Sequence, residues 1–104
     1  MARYKVVVYV PTDSADLIRE VVGKAGGGKN GNYSMCSFTS KGEGRFFPNH
    51  GANPAIGKIG KLEIVEEDKI EFDCDEVVLD LVVEEIKKNH PYEEVVYNVY
   101  KLEN

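Results

Sequence analysis

The chain has 104 residues, of which 42% are hydrophobic and 30% are charged, with a formal net charge of -5. This composition fits one soluble globular domain over residues 1–104 and excludes a disordered chain. The negative charge argues against nucleic acid as a partner, and no apolar run approaches the roughly 20 residues that span a membrane. Cys36 and Cys74 form no CxxC pair, which predicts reduced thiols in a cytoplasmic protein.

The first elements in chain order are a strand and a helix. The run "KVVVYV" at Lys5–Val10 is typical of a strand buried on both faces, and Pro11 ends it. Thr12 or Asp13 is the predicted N-cap of the helix, and Gly26 is its predicted stop. One apolar face follows the helical spacing i, i+3, i+4, i+7 and consists of Ile18, Val21, Val22 and Ala25.

A glycine-rich middle follows, because all ten glycines lie between Gly23 and Gly60. Two short strands are predicted at Tyr33–Thr39 and Gly44–Phe47, on either side of a turn with the sequence "SKGE". The segment "NHGANPAIGKIG" is neither helix nor ordinary strand, since its glycines favour turns and its proline fixes the backbone. We interpret it as a braced loop that joins the strands of a long hairpin and is suited to forming a shaped site.

The last part of the chain predicts a long strand, a second helix and a final strand. Apolar residues alternate with charged ones in the long strand, which predicts one buried face and a bend at Glu66–Asp68. The apolar positions are Leu62, Ile64, Ile70, Phe72 and Cys74. Asp75 is the predicted cap of the second helix, and Pro91 stops it before a strand at Val95–Leu102.

The predicted element order is β-α-β-β-α-β. This order indicates an α+β, ferredoxin-like sandwich with a four-stranded antiparallel sheet and two helices on one face. The other face must meet water or another subunit. Apolar Val65 and the C-terminal tyrosines on the strands favour a second copy, so we expect a homo-oligomer.

Two histidines stand out as candidate site residues. His90 begins the turn "HPYEE", where His90 and Glu93 are candidates for holding a metal or ligand at a subunit boundary. The alternative is structural: Pro91 stops the helix and Tyr92 packs. His50 lies beside the glycine segment, where a lone histidine is more often solvated. No HExxH or cysteine quartet accompanies them.

Anion binding and nucleophilic catalysis have weaker signals. "GKAGGGKNGN" does not match a phosphate loop, although Lys24, Lys29 and Lys58 are candidates for binding a small anion near free backbone N–H groups. The alternative is a flexible connector. Cys36, Ser34 and Ser37 are candidate nucleophiles without an accompanying base, so an enzyme is the least favoured class.

Three ordered motifs carry a family resemblance. "GNYSMCSFTSKGEGRFFP", "GANPAIGKIGKLE" and "HPYEEVVYNVY" resemble the PII/CutA-like domain that is inserted within many bacterial Nif-three-like proteins. The resemblance covers essentially the whole chain and implies trimers whose hairpins line clefts between subunits. The two-metal domain that carries the family's hydrolase chemistry would be absent, which implies a protein that is not an enzyme.

The sequence departs from the insert-domain pattern at four positions. Met35, Phe47, Ala55 and Lys58 replace a histidine, an arginine, an aromatic residue and a glutamate. The first change weakens a metal site and the last favours an anion. We therefore expect a regulatory or sensing protein that binds a small ligand, or a divalent metal, between subunits; the alternative is an interaction module that docks to a separate Nif-three-like protein. The candidate ligand-binding residues are Asn32, Tyr33, His50, Gly51, Asn53, Gly57, Lys58, His90, Tyr92 and Glu93.

Overall fold

The structure is a computed structural model that describes all 104 residues. Four strands form one sheet in the order β2-β3-β1-β4, and every neighbouring pair is antiparallel. The ferredoxin-like prediction is confirmed. The elements are β1 (Arg3–Pro11), a 3₁₀ turn (Thr12–Ser14), α1 (Ala15–Lys24), β2 (Phe38–Phe46), β3 (Glu63–Asp75), α2 (Glu76–Asn89) and β4 (Tyr97–Lys101).

The core lies between the two helices and one face of the sheet. Side chains of β1 and β3 at even positions point into it, because successive residues of a strand face opposite sides. The alternation predicted for the long strand is confirmed at the three even positions from Ile70 to Cys74. It is wrong for Leu62 and Ile64, which are about half exposed. These two residues lie beyond the end of β1, where neither the sheet nor a helix covers them.

The β2–β3 hairpin extends past the four-stranded sheet as a two-stranded arm, residues 43–46 and 63–66. The molecule measures 47 × 23 × 23 Å as a result. The prediction of two strands separated by a "SKGE" turn is wrong, because β2 runs unbroken from Phe38 to Phe46. Strand β3 supplies backbone partners along this whole length, which overrides the local turn preference of the glycines.

The stretch before β2 differs from its prediction as a strand. Strand β2 begins only at Phe38, while Tyr33 closes a tight turn by exchanging backbone hydrogen bonds with Asn30. Met35 has a φ of 57°, a left-handed conformation incompatible with a continuing strand. Residues 33–37 are therefore loop.

Strand β3 is not interrupted where three polar residues break its apolar pattern. It continues for 13 residues, and Asp68 is fully buried on the face covered by the helices. Lys41 Nζ lies 3.0 Å from both of its carboxylate oxygens, and the Thr12 hydroxyl donates at 2.8 Å. Arg19 adds a second cation at 3.7 Å. The buried charge is thus compensated from three other elements.

The predicted helix caps are wrong in their chemistry. The Thr12 side chain is used by Asp68, and no side chain caps α1, which begins after the 3₁₀ turn. Asp75 occupies the N-cap position of α2, but its carboxylate pairs with Arg3 instead of capping. The helix stops are closer to prediction, since α2 ends at Asn89, two residues before Pro91.

The two ends of the fold lie side by side. Strands β1 and β4 are antiparallel neighbours, and the Leu102 N–H donates to the Arg3 carbonyl at 2.8 Å. The Glu76 N–H likewise donates to the Ala2 carbonyl at 3.1 Å.

Neither helix is long and apolar enough to cross a membrane.

Candidate functional site

A cleft of about 1020 Å³ lies on the face of the sheet that the helices leave uncovered. Its floor is formed by β1 and β3 at Tyr9, Glu67 and Lys69, and by residues 40–46 of β2. One wall is the loop after β2, residues 47–56. The opposite wall is the segment that follows α2, at Tyr92–Glu94 and Val96. The volume lies at the upper end of the range typical of small-molecule pockets.

Tyr92 joins the wall after α2 to the floor. Its hydroxyl donates to the Glu67 carboxylate at 2.7 Å, and its ring meets Phe46 edge to face with centroids 5.6 Å apart. Burial raises the pKa of the Tyr92 phenol well above its usual value, and the hydrogen bond to anionic Glu67 raises it further. Tyr92 is therefore a protonated donor at neutral pH.

His90 lies directly behind this wall and is only 7% exposed. Its Nε2 lies 2.7 Å from the Tyr9 carbonyl, and its Nδ1 accepts the Tyr92 N–H at 3.1 Å. Only the neutral imidazole with a proton on Nε2 satisfies both partners. Burial lowers the pKa of His90, and the Tyr9 carbonyl and the charge of Glu67 oppose this shift only in part.

This geometry makes stability depend on the protonation of His90. Because the folded state holds His90 neutral, unfolding takes up a proton, so stability is complete above about pH 6.5 and falls as the pH drops below it. We expect the wild-type melting temperature to fall more between about pH 7 and pH 5.5 than that of His90→Gln, whose amide still donates to Tyr9. Differential scanning calorimetry across this range measures the difference.

The control for this prediction is His50→Gln. His50 is the only other histidine and lies exposed in the loop after β2. Its variant should retain the wild-type pH profile. Parallel profiles for the wild type and His90→Gln would contradict the assignment of the acid sensitivity to His90.

A single polar contact ties the loop after β2 to the opposite wall. The Asn53 N–H donates to the Glu93 carboxylate at 3.1 Å, which brings two predicted site residues together across the cleft. The loop is closed at its base by the Gly60 N–H, which donates to the Pro48 carbonyl at 2.9 Å. His50 and Gly51 line the cleft beside this contact. Gly51 has a φ of 100°, a conformation that glycine adopts without strain.

Other predicted residues lie elsewhere. Asn32 and Tyr33 belong to the loop before β2, at the end of the sheet where Arg3 donates to the Lys29 carbonyl. This end is separated from Glu67 by about eight residues of β3, or roughly 26 Å. Gly57 and Lys58 lie on the returning part of the loop, outside the cleft lining.

The lysines considered for anion binding do not converge. Lys24 pairs with Glu20 on α1 at 2.8 Å, Lys29 lies near Arg3, and Lys58 lies in the loop after β2. No group of three or more His, Cys, Asp or Glu side chains is arranged to hold a metal ion within this chain.

Sequence reasoning missed three residues of the cleft floor, Tyr9, Glu67 and Lys69. They occupy odd positions of β1 and β3, on the face opposite the core, and Tyr9 and Lys69 are directly paired across the strands. The alternation of apolar and charged residues in the long strand already placed its odd positions on a second face. Reading the odd positions together as one uncovered surface would have found them.

Gly44 makes room for the contact between Tyr92 and Glu67. A Cβ at this position would overlap the Glu67 carboxylate, so we expect Gly44→Ala to displace it and break the hydrogen bond. The expected cost is about 1 kcal/mol of unfolding free energy, since the bond is charged but only partly buried. Urea denaturation measures this loss.

Gly42→Ala is the matched control, on the same strand and the same face. A Cβ at Gly42 meets no atom within 4 Å. Alanine there should leave stability unchanged or raise it slightly, because glycine is the poorer strand residue. Equal losses in the two variants would show that the Glu67 contact is not what Gly44 protects.

Known proteins match the chain over nearly its whole length. No protein-family model matches it. The GTP cyclohydrolase 1 type 2 homolog of Halalkalibacterium halodurans is 52% identical over 101 residues, which are 97% of this chain and 27% of that protein. The Bacillus subtilis protein of the same name is 43% identical over 99 residues, 95% of this chain and 26% of that one. The chain thus spans about a quarter of the length of these relatives.

A solved structure matches this chain in shape as well as in sequence. A Bacillus cereus protein related to NIF3 superposes on 99% of this chain with a TM-score of 0.86 and 43% identity, using 26% of its own length. The resemblance to the Nif-three-like family is confirmed. The fold is also that of CutA1 from Oryza sativa, which covers all of this chain at a TM-score of 0.69 and 17% identity and uses 83% of its own length. Bacillus subtilis GlnK, solved as an ATP complex, gives 0.63 and 17%. These last two show the fold alone.

Proposed function

We propose that this Nif-three-like segment is a non-enzymatic binding module that takes a small organic molecule in the cleft and acts in regulation or sensing. The observation that carries the proposal is the cleft itself, whose two walls are held in place by specific contacts. Tyr92 bonds to Glu67 at the floor, and Asn53 bonds to Glu93 across the opening. Walls fixed before the ligand arrives reduce the entropy cost of binding.

The names of similar proteins motivate the search for a ligand. The GlnK neighbour was solved with ATP, and an Archaeoglobus fulgidus neighbour is named a divalent cation tolerance protein. The curated relatives carry a GTP cyclohydrolase name. Each name points to a small ligand or an ion, but the names differ in which one.

We also propose that the protein works in the cytoplasm, where free thiols such as Cys36 and Cys74 stay reduced.

The test is a thermal-shift screen of metabolites, nucleotides and divalent metals, followed by NMR mapping of every hit. A ligand at about 100 times its Kd stabilises by about 2.7 kcal/mol, which is roughly 10–20 °C for a domain of this size. We expect the shifted amides to lie around the cleft. Tyr92→Ala should abolish the effect, while Tyr33→Ala, at the far end, should retain it. A broad panel without any hit would refute the proposal.

We further propose that the cleft works in a homo-oligomer, a trimer by resemblance. Four large apolar side chains on the arm and its loop are about half exposed, namely Phe47, Ile59, Leu62 and Ile64. Exposed apolar surface of this kind is typical of protein interfaces. Sedimentation should show an oligomer at micromolar concentration, and Ile64→Glu should shift it towards monomer. A wild-type monomer would refute this arrangement.

The same arm favours a second candidate, a docking module. In the longer relatives the matching region is about a quarter of the chain, so its apolar surface has other domains to contact. A separate Nif-three-like protein is the partner this candidate requires. The test is co-purification of such a protein from the native cell. Docking would be favoured over ligand binding if the partner co-purifies with the wild type but not with Ile64→Glu, and if the ligand screen finds no hit.

A further inference from the structure

The charged side chains of the cleft divide into those with partners inside the chain and those without. Glu43 pairs with Arg45 at 3.1 Å on β2, and Lys41 pairs with buried Asp68. Glu67 accepts the Tyr92 hydroxyl, and Glu93 accepts the Asn53 N–H, as described above. Most of the charged groups around the cleft therefore already have a partner within the chain.

Lys69 is the one cation of the cleft that makes no salt bridge. It lies in the middle of the floor, on the face of β3 that the helices leave uncovered. Its two cross-strand partners are Tyr9 and Ser40, which also line the cleft. Neither of their hydroxyl groups makes a hydrogen bond within the chain. One ammonium and two hydroxyl donors thus share one row of the floor.

The charge balance limits what these donors can hold. The residues that line the cleft include three basic and four acidic ones, a net charge of -1 with His50 neutral. Lys41, Glu43 and Arg45 are paired with even positions of β3 and so belong to the other face of the sheet, which leaves Lys69 as the cation of the floor. Glu67 lies two residues from Lys69 on the same face, at a spacing of roughly 6.6 Å. A single negative charge is offset by Lys69, while a second would meet the surrounding carboxylates without a free cation.

The remaining residues that line the cleft are apolar and favour a ligand whose main part is hydrophobic. Aromatic and aliphatic side chains from β2, the following loop and the opposite wall surround the floor. They are Phe46, Phe47, Pro48, Pro54, Ile56 and Val96. Apolar walls with a few convergent polar groups are the usual composition of a small-molecule site, where the polar groups fix the ligand's orientation.

We propose that the ligand is an apolar or aromatic molecule with one carboxylate, whose carboxylate binds the Lys69 ammonium and the hydroxyls of Tyr9 and Ser40. This inference rests on the proposed function and adds the ligand class and its anchor. It excludes nucleoside triphosphates from the cleft, because their charge exceeds what one free lysine offsets. It also moves the anion site from Lys58, where the sequence pointed, to the floor of the sheet.

The experiment compares matched probes by NMR titration of the full chain. Phenylacetate and indole-3-acetate are the carboxylates, their amides are the neutral controls, and phenyl phosphate is the dianion. We expect both carboxylates to shift amides around Lys69 and to bind at least about tenfold more tightly than their amides, because a charged hydrogen bond is lost. Phenyl phosphate should bind more weakly than phenylacetate.

Variants locate the anchor. Lys69→Met should weaken carboxylate binding about tenfold and leave amide binding unchanged, and Lys69→Arg should restore most of the loss. Lys61→Met is the matched control, since Lys61 is exposed in the loop outside the cleft. An unchanged backbone spectrum shows that each variant is folded.

The outcomes separate this inference from the proposed function. Equal binding of acids and amides at the cleft would overturn the carboxylate class and leave the binding module standing. Tighter binding of phenyl phosphate would overturn the limit of one charge. If none of these probes shifts the cleft amides at millimolar concentration, the ligand class is wrong, and the wider thermal-shift screen then decides whether the cleft binds any molecule.

Discussion

Replacing Asp68 with alanine should lower the unfolding free energy by about 2–3 kcal/mol. The side chain is fully buried and holds four elements together through Thr12, Lys41 and Arg19. Removing one member of a buried ion pair lowers the unfolding free energy more when the remaining partner stays buried than when it can reach water. Lys41 is 70% exposed and returns to water, so the expected loss is below that upper range.

The control is Glu66→Ala on the same strand and the same face. Glu66 is exposed and makes no salt bridge, so its loss should change stability by at most about 0.5 kcal/mol. Urea denaturation of the two variants gives the comparison. A similar small change in both would mean that the network around Asp68 does not stabilise the fold.

The pH dependence of this effect has a defined sign. Burial alone raises the pKa of Asp68, but hydrogen bonds from Lys41 and Thr12, with the charges of Lys41 and Arg19, outweigh it and lower the pKa. The unfolded state then takes up the proton first. The contribution of Asp68 is therefore present at neutral pH and is lost as the pH falls below about 4. The stability difference between wild type and Asp68→Ala should shrink over that range.

Gly28→Ala should cost roughly 3 kcal/mol for two separate reasons. Its φ of 79° is left-handed, which costs an alanine about 1–2 kcal/mol. A Cβ there would also overlap the backbone carbonyl of Cys36, which has no flexible end to move away. Gly28 is held on both sides, since its N–H donates to the Asp73 carbonyl and its own carbonyl accepts the Cys36 N–H, each at 2.8 Å. Relieving the overlap breaks at least one of these bonds, worth about 1 kcal/mol.

Gly31→Ala separates the two reasons. Gly31 lies in the same loop with a φ of 56°, but a Cβ there meets no atom within 4 Å. Gly31→Ala should therefore lower the unfolding free energy by only about 1 kcal/mol, the cost of the left-handed backbone. Chemical denaturation of both variants measures the difference, and equal losses would contradict the steric part of the prediction.

Local patterns were sufficient for most of the fold. The β-branched run of β1, the apolar face of the first helix and the stop at Pro91 each depend on neighbours within a few residues. The errors lie where a distant partner decides the outcome. Strand β2 passes through Gly42 and Gly44 because β3 pairs with it, and Asp68 enters the core because α1 and β2 bring cations to it. Neither partner can be read from the local sequence.

The candidate site was predictable in its walls more than in its floor. Glycine, proline and histidine marked the loop after β2 and the "HPYEE" segment as candidate site segments. The structure places His50, Gly51, Tyr92 and Glu93 around one cleft. The floor residues have ordinary strand positions, and only the register of β1 against β3 brings Tyr9 beside Lys69. Asn32 and Tyr33 lie far away because strand length separates the two ends of the sheet.

The closeness of Arg3 and Leu102 has a consequence for how such a module is carried in a larger protein. A segment that enters and leaves through one point can be spliced into a surface loop of a host domain without separating the host's flanking residues. Permuting the chain by joining these ends with a short linker should therefore preserve the fold, with new termini opened in the loop after β2.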